Sequence, residues 1–315
     1  MALYRVPMLT NGAKHPAEQF RALIKDLSNG AEGITEGDDL KVSPLSTPGA
    51  GVQIGEGSGI ILGRVSPFQG AYAVRNQGAD TVPIAATGAS ARSDMVIVRV
   101  EDPEYEGDLD ANDGSSDMIN YFQVISNVSS SAITIPDGRT GIPLARIDIP
   151  ASTSTITNAM ITDLRKVANP RRQRTVVTQS PASQSTGIGS STTPSYFSTA
   201  AGWNIAIPDW ASKAIVRIDV SPIRYALGNF WGQLSATFGS SLTVQPIFLD
   251  DNQGTGIRRI GSVIADTLTI PASYRGTTQL LRVRANAMAT GQDGRIYVDS
   301  GTTLVADVQF EEAPR

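Results

Sequence analysis

The sequence lacks cysteine altogether and contains one histidine, His15, among its 315 residues. These absences exclude disulfide bridges, thiol nucleophiles, Cys or His zinc sites and histidine-dependent catalytic triads. No run approaches the roughly eighteen apolar residues that a membrane helix needs, so we expect no membrane insertion. The first residues, "MALYRVPMLTNGAKHP", lack a basic segment followed by an apolar one. This pattern predicts no secretory signal peptide.

Positive charge is also scarce, since the net charge is −4. Residues 1–170 carry 13 Lys or Arg against 20 Asp or Glu, and residues 171–315 carry 13 against 10. Neither half is basic enough to neutralise a phosphate backbone, so we expect no nucleic-acid partner. The stretch "RKVANPRRQR" (165–174) holds five cations. We interpret it as a solvated junction between domains; contact with acidic neighbours in an assembly is the alternative.

Residues that interrupt regular secondary structure are abundant, with 30 glycines and 18 prolines. Such a composition favours many short strands over long helices. Residues 16–28, "PAEQFRALIKDLS", are the exception, because their apolar residues recur at the spacing of one helix face: Phe20, Leu23, Ile24 and Leu27. We expect this face to pack on the sheet of its own domain. Docking onto a partner in an assembly is the alternative.

Short apolar runs bounded by Gly, Pro, Asp or Ser predict strands on both sides of a polar stretch. In the first half they are "DMVIVRV" (94–100), "MINYFQVIS" (118–126), "AITIP" (132–136) and "GIPLARIDIP" (141–150). In the second half, the segments 214–220, 280–287 and 303–312 alternate apolar and polar residues. One buried and one polar face per strand indicates an antiparallel sandwich of jelly-roll type.

The polar stretch itself predicts a linker. Sixteen of the eighteen residues in 178–195 are Ser, Thr, Gly, Pro or Gln, which leaves little to bury. The sequence therefore predicts a mainly β protein with an N-terminal β domain at 1–170, including a helix near 16–28. A linker at 171–195 and a C-terminal antiparallel β-sandwich at 196–315 follow.

Acidic residues give no convincing catalytic or metal site. Asp108, Asp110 and Asn112 alternate as the first ligands of a calcium loop do, but Asp113 and Ile119 replace the glycine and glutamate that such a loop requires. We interpret the run as a solvated hairpin loop, and calcium at residues 108–117 is the weaker alternative. Asp250 and Asp251 are adjacent in a turn-like stretch, unlike a carboxylate pair that faces a glycosidic bond. We therefore predict no catalytic residues, no other cofactor and no enzyme activity.

Aromatic and cationic residues of the second half are the candidate contacts for a ligand: Tyr225, Trp231, Arg258 and Arg259. Exposed rings can stack on sugars while arginines bond hydroxyls or acidic groups. The alternative is that Tyr225 and Trp231 fill the sandwich core. For Trp203 and Trp210 we expect a place in the core or in an interface.

Several stretches in a fixed order resemble one family. They are "GAYAVRNQG" (70–78), "PIAATGASARSDMVIVRVEDPEYEG" (83–107), "IPLARIDIPASTSTITNAMITDLR" (142–165), "WNIAIPDWASKAIVRIDV" (203–220) and "IPASYRGTTQLLRVRA" (270–285), ending on "LVADVQF". Together they resemble the minor tail proteins of siphophages that infect actinobacteria, over nearly the whole chain. No catalytic signature and no ligand residues come with the resemblance.

The resemblance implies a structural virion protein of the tail tip or baseplate, made in the host cytoplasm. The first domain would attach to other tail-tip proteins, and the second would contact a glycan of the host cell surface. Such proteins are typically homotrimers. The alternatives are a purely structural trimeric cap or scaffold, a polysaccharide-degrading tail enzyme, and a carbohydrate-binding module of cellular origin.

Overall fold

The computed structural model describes Met8, residues 10–106 and residues 119–315. Strands dominate, nearly all of them antiparallel, and one α-helix accompanies them, which confirms the mainly β class. The chain divides into two compact units, Met1–Pro170 with Ala313–Arg315, and Arg171–Glu312. Each unit builds a core of its own.

The described residues of the first unit form three small sheets and one α-helix. Their bounds are α1 (Ala17–Leu27), β1 (Gly33–Ile34), β2 (Val42–Pro44), β3 (Gly51–Ile54), β4 (Gly57–Leu62), β5 (Ala71–Asn76), β6 (Asp80–Pro83), β7 (Arg92–Val100), β8 (Asn120–Ile125), β9 (Gly141–Ile149) and β10 (Ile161–Asp163). The sheet orders are β1-β4-β5, β2-β3-β6 and β10-β9-β7-β8. Buried residues of all three sheets, such as Ile54, Ile61 and Leu144, belong to one hydrophobic cluster. The three sheets therefore share a core.

The predicted helix is confirmed, but the prediction of its buried face is wrong. Phe20 is 47% exposed and Leu27 74% exposed, whereas Gln19 and Arg21 are buried. The apolar stripe predicted burial because its spacing fits a core-facing helix. What orients α1 instead is the bonding of Arg21.

Arg21 is bonded on several sides by groups from two loops. Its guanidinium donates to the Gln69 carbonyl at 2.9 Å and to Glu104 at 2.8 Å. The rings of Tyr72 and Tyr105 lie 5.6 and 5.2 Å from its central carbon. A buried guanidinium requires such partners, so meeting them turns the polar side of α1 inward.

The predicted strand at 132–136 is also wrong, since no described residue there is in a strand. Ile133 is 59% exposed. Arg146 donates to the Ala132 carbonyl at 3.2 Å. The stretch is a loop that precedes β9, because its short apolar run has no neighbouring strand with which to pair.

The end of the first unit follows the sequence closely. Arg165 pairs with Asp163 at 2.7 Å, and Leu164 is buried. The predicted second domain, 196–315, loses its last three residues to this unit. The Arg315 backbone N–H donates to the Gly37 carbonyl at 2.9 Å, and its side chain pairs with Asp38 at 2.8 Å.

The second unit is built from two antiparallel sheets. Its strands are β11 (Arg172–Gln179), β12 (Ser195–Tyr196), β13 (Gly202–Ala206), β14 (Lys213–Ala226), β15 (Phe230–Phe238), β16 (Leu242–Asp251), β17 (Arg258–Thr269), β18 (Thr278–Ala287), β19 (Arg295–Tyr297) and β20 (Thr303–Glu311). One sheet has the order β11-β20-β14-β17, with β19 also paired to β14. The other has the order β12-β18-β15-β16, with β13 also paired to β18.

This strand order is that of a jelly roll. Without the two short strands β12 and β19, the remaining strands can be numbered from first to eighth along the chain. One sheet then has the order first-eighth-third-sixth, and the other has the order second-seventh-fourth-fifth. These orders arise when a long hairpin folds over on itself into two Greek keys. The facing sides of both sheets supply one hydrophobic cluster, which includes Phe238, Leu281 and Phe310. The prediction of a jelly-roll sandwich is therefore confirmed.

The linker predicted at 171–195 is corrected by the structure. Residues 172–179 form β11, which pairs with β20 from Arg172–Glu311 to Gln179–Leu304. Further along, Ile188 is buried and exchanges backbone hydrogen bonds with Ile296. Composition misleads here because an edge strand gains much of its stability from backbone hydrogen bonds, which any side chain except proline permits.

Candidate functional site

The two sheets of the jelly roll expose outer faces of different chemistry. Three outward arginines of β11 and β14 have carboxylate partners, whereas Arg224 on β14 donates to Gln184 at 2.9 Å. Arg172 lies 3.3 Å from Glu311, Arg174 lies 2.6 Å from Asp307, and Arg217 lies 3.0 Å from Asp219. We call these six side chains the paired face. Arg174 lowers the pKa of Asp307 by hydrogen bonding to its charged form.

The cations of "RRQR" therefore have partners within their own unit. Arg171 adds a further pair, 2.6 Å from the buried Glu312, and its guanidinium lies 5.5 Å from the ring centre of Trp210. The interpretation of residues 165–174 as a junction between domains agrees with the structure, because the first unit ends at Pro170 and the second begins at Arg171. The arginines after this boundary are exposed but also form ion pairs with acidic residues of β20 and with Glu312.

The outer face of the other sheet combines aromatic rings, arginines and an amide. We call the following six side chains the open face: Tyr196, Trp231, Gln233, Phe248, Arg282 and Arg284. Cross-strand pairing places Gln233 opposite Phe248, Trp231 opposite Asp250 and Tyr196 opposite Arg284. Trp231 is 48% exposed and Phe248 65% exposed. Because opposite residues of an antiparallel pair share one face, these rings lie on the same surface.

Trp231 is held by its backbone while its ring stays accessible. The side-chain amide of Gln292 accepts from the Trp231 N–H at 3.0 Å and donates to its carbonyl at 3.1 Å. Phe248 reaches the same surface through a β-bulge, where the register between β15 and β16 shifts at Leu234 and Ala236. A bulge inserts one residue and thereby reverses the inward and outward positions that follow it.

Tyr196 and Arg282 are fixed together at the other end of the open face. The Arg282 guanidinium lies 4.4 Å from the ring centre of Tyr196, and the tyrosine hydroxyl is 3.0 Å from Thr237 Oγ1. Gly202 lies opposite Arg282, where a Cβ would come within 2.9 Å of the arginine side chain and of the Leu281 carbonyl. Glycine at this position therefore leaves room for the arginine stem.

Arg282 and Arg284 have no carboxylate partner among the described residues. Arg282 donates through Nε to the Ser198 carbonyl at 3.2 Å. Arg284 donates through Nε to Ser235 at 3.2 Å and through Nη2 to Thr243 at 3.3 Å. These acceptors are uncharged, so both positive charges remain uncompensated on the open face.

The structure separates the four residues that the sequence suggested as contacts. Trp231 lies on the open face. Tyr225 is 2% exposed and packs edge-on against Phe230 at 6.0 Å, so its place among the contacts is wrong and its alternative assignment to the core holds. Burial first, and nearby Asp251 second, raise the pKa of Tyr225 to about 12.

The two candidate arginines are bound internally. Arg258 forms an ion pair with the buried Asp251 and donates to the Gly254 carbonyl at 2.7 Å, which closes the turn between β16 and β17. Arg259 pairs with Asp299 at 2.7 Å and thereby lowers the pKa of that carboxyl. Their sequence positions suggested exposed cations, but the register brings both of them beside acidic groups.

Sequence reasoning missed Tyr196, Phe248, Arg282 and Arg284. The signal for the two arginines was present, since they alternate with buried Leu281 and Val283 along β18. Their lack of acidic neighbours depends on which strands flank β18, and alternation does not carry that information. Phe248 was hidden by the bulge.

Acidic residues form no metal site in the part of the chain that the structure describes, since nowhere there do three His, Cys, Asp or Glu side chains group suitably. The calcium alternative at residues 108–117 lies outside the described residues. Asp250 points outward and Asp251 inward on β16, so they do not face one another. No helix among the described residues has the length and apolar character that crossing a bilayer requires.

No protein-family model matches the chain, and no curated protein matches it. Among solved structures, the chain is similar to that of the infectious bursal disease virus Gt strain at 13% identity and a TM-score of 0.28, covering 90% of this chain and 76% of that one. The VP2 subviral particle of the same virus gives 13% identity and a TM-score of 0.24, with coverages of 90% and 79%.

Latent PorU from Porphyromonas gingivalis gives 11% identity and a TM-score of 0.25, covering 94% of this chain and 26% of that one. At such TM-scores the superpositions are too poor to define a common fold or a common function. The open face is therefore the feature of this chain that indicates a function.

Proposed function

We propose that this chain is a structural protein of a virus particle, a minor tail protein of a siphophage, whose jelly roll binds a glycan of the host cell surface through the open face. The observation that carries the proposal is the exposed Trp231 and Phe248 on a sheet face that also carries two arginines without a carboxylate partner among the described residues. Jelly rolls recur in viral capsid and lectin domains, and the ordered stretches of sequence resemble tail proteins. A fold alone does not imply a function, so the face is the main support.

The chemistry of the open face suits a sugar. Trp231 and Phe248 lie diagonally across neighbouring strands, where they offer adjoining apolar surfaces to the C–H sides of sugar rings. Gln233 lies between β18 and β16 and can bond hydroxyls as both donor and acceptor. The rings of Trp231 and Phe248 are exposed to solvent before binding, so a bound sugar that covers them removes apolar area from water.

A single face of this size would bind weakly, and repetition compensates. In the proposal the chain is a homotrimer at the tail tip or baseplate, and several trimers act together through effective concentration. The first unit attaches to other tail-tip proteins. Its exposed Phe20 and Leu27 on α1 and its exposed Phe68 support this role, because the loop carrying Phe68 is bonded to α1 through Arg21 and Gln69.

The experiment measures binding of the purified chain to glycans isolated from actinobacterial cell walls, by isothermal titration calorimetry or surface plasmon resonance. Trp231→Ala and Phe248→Ala should each weaken binding about tenfold, equivalent to about 1.4 kcal/mol. Ile215→Ala, an outward apolar residue of the opposite sheet that is 41% exposed, is the matched control and should change binding less than twofold. Equal losses in all three variants would refute the assignment to the open face.

Oligomeric state and glycan binding together distinguish the proposal from the alternative of a trimeric cap or scaffold. Light scattering should give about three times the chain mass of 33.3 kDa. A trimer that binds no glycan of the panel would favour the scaffold, and a monomer would contradict the assembly. In the proposal the chain is not an enzyme, so incubation with the same glycans should release no new reducing ends.

A further inference from the structure

The arginines of the second unit divide by their partners. Those of the paired face, together with Arg171, Arg258 and Arg259, have a carboxylate at ion-pair distance. Arg224, Arg295, Arg282 and Arg284 have none among the described residues. Arg224 donates to Gln184 and Arg295 to backbone carbonyls, whereas Arg282 and Arg284 lie half-buried on the open face. Each guanidinium carries five donors, and the neutral acceptors of the protein use one on Arg282 and two on Arg284. Unused, partly desolvated donors define a site for an acceptor from outside.

The two charges are also arranged to act together. Both side chains leave the same side of β18, two residues apart, which is about 6.6 Å along a strand. Two like charges at this spacing repel each other unless anions compensate them. Neutral partners fix both stems, since Nε of Arg282 is bonded to Ser198 and Nε of Arg284 to Ser235. The guanidinium of Arg282 therefore lies over Tyr196 on the β12 side of β18, and that of Arg284 lies toward Thr243 on β16. Neither has a carboxylate partner among the described residues.

Tyr196 limits the approach to these guanidiniums. Its ring lies against Arg282, and its hydroxyl, bonded to Thr237, holds it across β18. Arginine forks match the planar geometry of carboxylate and the oxygens of sulfate and phosphate, and a stacked guanidinium loses little freedom on binding. The site is therefore better suited to an oxyanion than to a neutral hydroxyl.

The acidic end of the open face lies elsewhere. Asp250 is the carboxylate among the outward residues of these described strands, and it lies opposite Trp231. From Trp231 to Thr237, which faces Arg282, the strand runs six residues, roughly 20 Å. A ligand that reaches from the rings to the arginines must therefore be an extended chain with negative charge toward the Arg282 end.

We propose that the open face recognises an anionic polysaccharide, whose acidic groups bind to Arg282 and Arg284 while neighbouring sugar rings stack on Phe248 and Trp231. This inference rests on the proposed function and specifies its ligand class. Carboxylate, sulfate and phosphate share the required chemistry, so the test separates them.

The test uses the full chain and defined probes. Hexagalacturonate and its fully methyl-esterified form differ only in the acidic groups, and we expect the acid form to bind about tenfold more tightly at low salt. A heparin hexasaccharide and a glycerol-phosphate hexamer distinguish sulfate and phosphate from carboxylate. Raising the salt concentration about tenfold, from about 0.05 to about 0.5 M, should reduce the preference for the acid form because exposed charges are screened.

The decisive variant is Arg282→Gln with Arg284→Gln, which should abolish the preference for the acid probe and leave binding of the methyl ester within twofold. Arg172→Gln with Arg174→Gln, on the paired face, removes the same charge and should preserve the preference. If the glutamine variant fails to fold by circular dichroism, the double lysine variant replaces it. Lysine keeps the charge without the fork, so it should lose about half of the tenfold preference on a logarithmic scale.

The outcomes separate the two proposals. Glycan binding without any preference for acidic probes, or a preference that survives the glutamine variant, overturns this inference and leaves the proposed function standing. Absence of binding to every glycan overturns the proposed function as well. A change of oligomeric state in the glutamine variant would make the face a subunit interface and would likewise overturn the inference.

Discussion

The paired face and the open face belong to one jelly roll, and both carry arginines on alternating outward positions. On the paired face, Arg174 and Arg217 have carboxylates at 2.6 and 3.0 Å. On the open face, the acceptors of Arg282 and Arg284 among the described residues are hydroxyls and a backbone carbonyl, and exposed rings share the same face. The first arrangement satisfies its own charges, and the second leaves them available. The difference teaches that an outward arginine indicates a binding site only once its neighbours on adjacent strands are known.

The largest expected effect concerns Arg258, which belongs to neither face but forms an ion pair with a buried carboxylate of the same unit. Asp251→Ala would leave the Arg258 guanidinium, whose side chain is 16% exposed, without its carboxylate. We expect the free energy of unfolding to fall by about 3 kcal/mol, because an uncompensated buried charge is costly. Urea denaturation followed by tryptophan fluorescence measures the second unit, since Trp203, Trp210 and Trp231 all lie there.

Asp250→Ala is the matched control for that experiment. Asp250 is the adjacent residue on β16 but points outward, so its loss should change stability by less than about 0.5 kcal/mol. Equal costs for the two substitutions would contradict the distinction between a buried structural pair and an exposed carboxylate.

The second prediction converts the open face into a paired one. Thr243 accepts a hydrogen bond from Arg284 at 3.3 Å, so Thr243→Glu would place a carboxylate beside that guanidinium. We expect about tenfold weaker binding of hexagalacturonate, or about 1.4 kcal/mol, with little change in stability. Thr269→Glu adds the same charge on the opposite sheet, beside Lys213, and should leave binding unchanged. Equal losses in both variants would mean that net charge alone controls binding.

The third prediction uses acid. Arg174 lowers the pKa of Asp307, and Arg259 lowers that of Asp299, from the ordinary value of 3.8. A lowered pKa in the folded state stabilises the fold above the ordinary value, and this stabilisation is lost as pH falls through the folded value. The urea midpoint of the second unit should therefore be steady from about pH 7 to 5 and decline below about pH 4.

Variants on the two faces should respond to acid differently. Asp307→Asn removes one titrating pair, so the decline below about pH 4 should be shallower. Arg282→Gln with Arg284→Gln should leave the decline unchanged, because these arginines have no carboxylate partner among the described residues. A shallower decline in the second variant would indicate an acidic partner on the open face.

The smallest expected effect is a negligible gain in affinity for the acidic probe when an arginine of the paired face is freed. Asp307→Asn frees Arg174 on the paired face, but no exposed aromatic ring of the described chain lies on that sheet to support a sugar. Affinity for hexagalacturonate should therefore rise less than twofold. An affinity equal to that of the open face would show that free arginines suffice and that the rings are dispensable.

Strand alternation accounts for most of what could be predicted about the jelly roll. Val216 and Ile218 on β14, and Leu281 and Val283 on β18, are all fully buried, because successive side chains of a strand point to opposite faces. The class of fold followed from three such segments. The helix at 16–28 was also recognisable from its spacing, although bonding of Arg21 decided which of its sides is buried.

Two β-bulges explain why the contact residues were harder to predict. Strict alternation from Val220 would turn Tyr225 outward, but the register of β14 shifts between Val220 and Ile223 and turns it inward. Strict alternation from Val244 would turn Phe248 inward, and the shift in the β15–β16 pairing turns it outward. Each bulge reverses every later position on its strand. A proline lies within each of them, Pro222 in β14 and Pro246 in β16, and proline inside a strand is the sequence signal that indicates a bulge.

The sequence by itself determined the mainly β class, the jelly-roll sandwich and the absence of thiol and zinc–cysteine chemistry, since these depend on composition and on a local period of two. Only the tertiary structure decided that β11 is a strand, that Tyr225 is core, and that Arg282 and Arg284 have no carboxylate partner in the described part of the chain. The reason is physical: burial and charge compensation depend on residues from distant strands, and strand order and register determine which of them become neighbours.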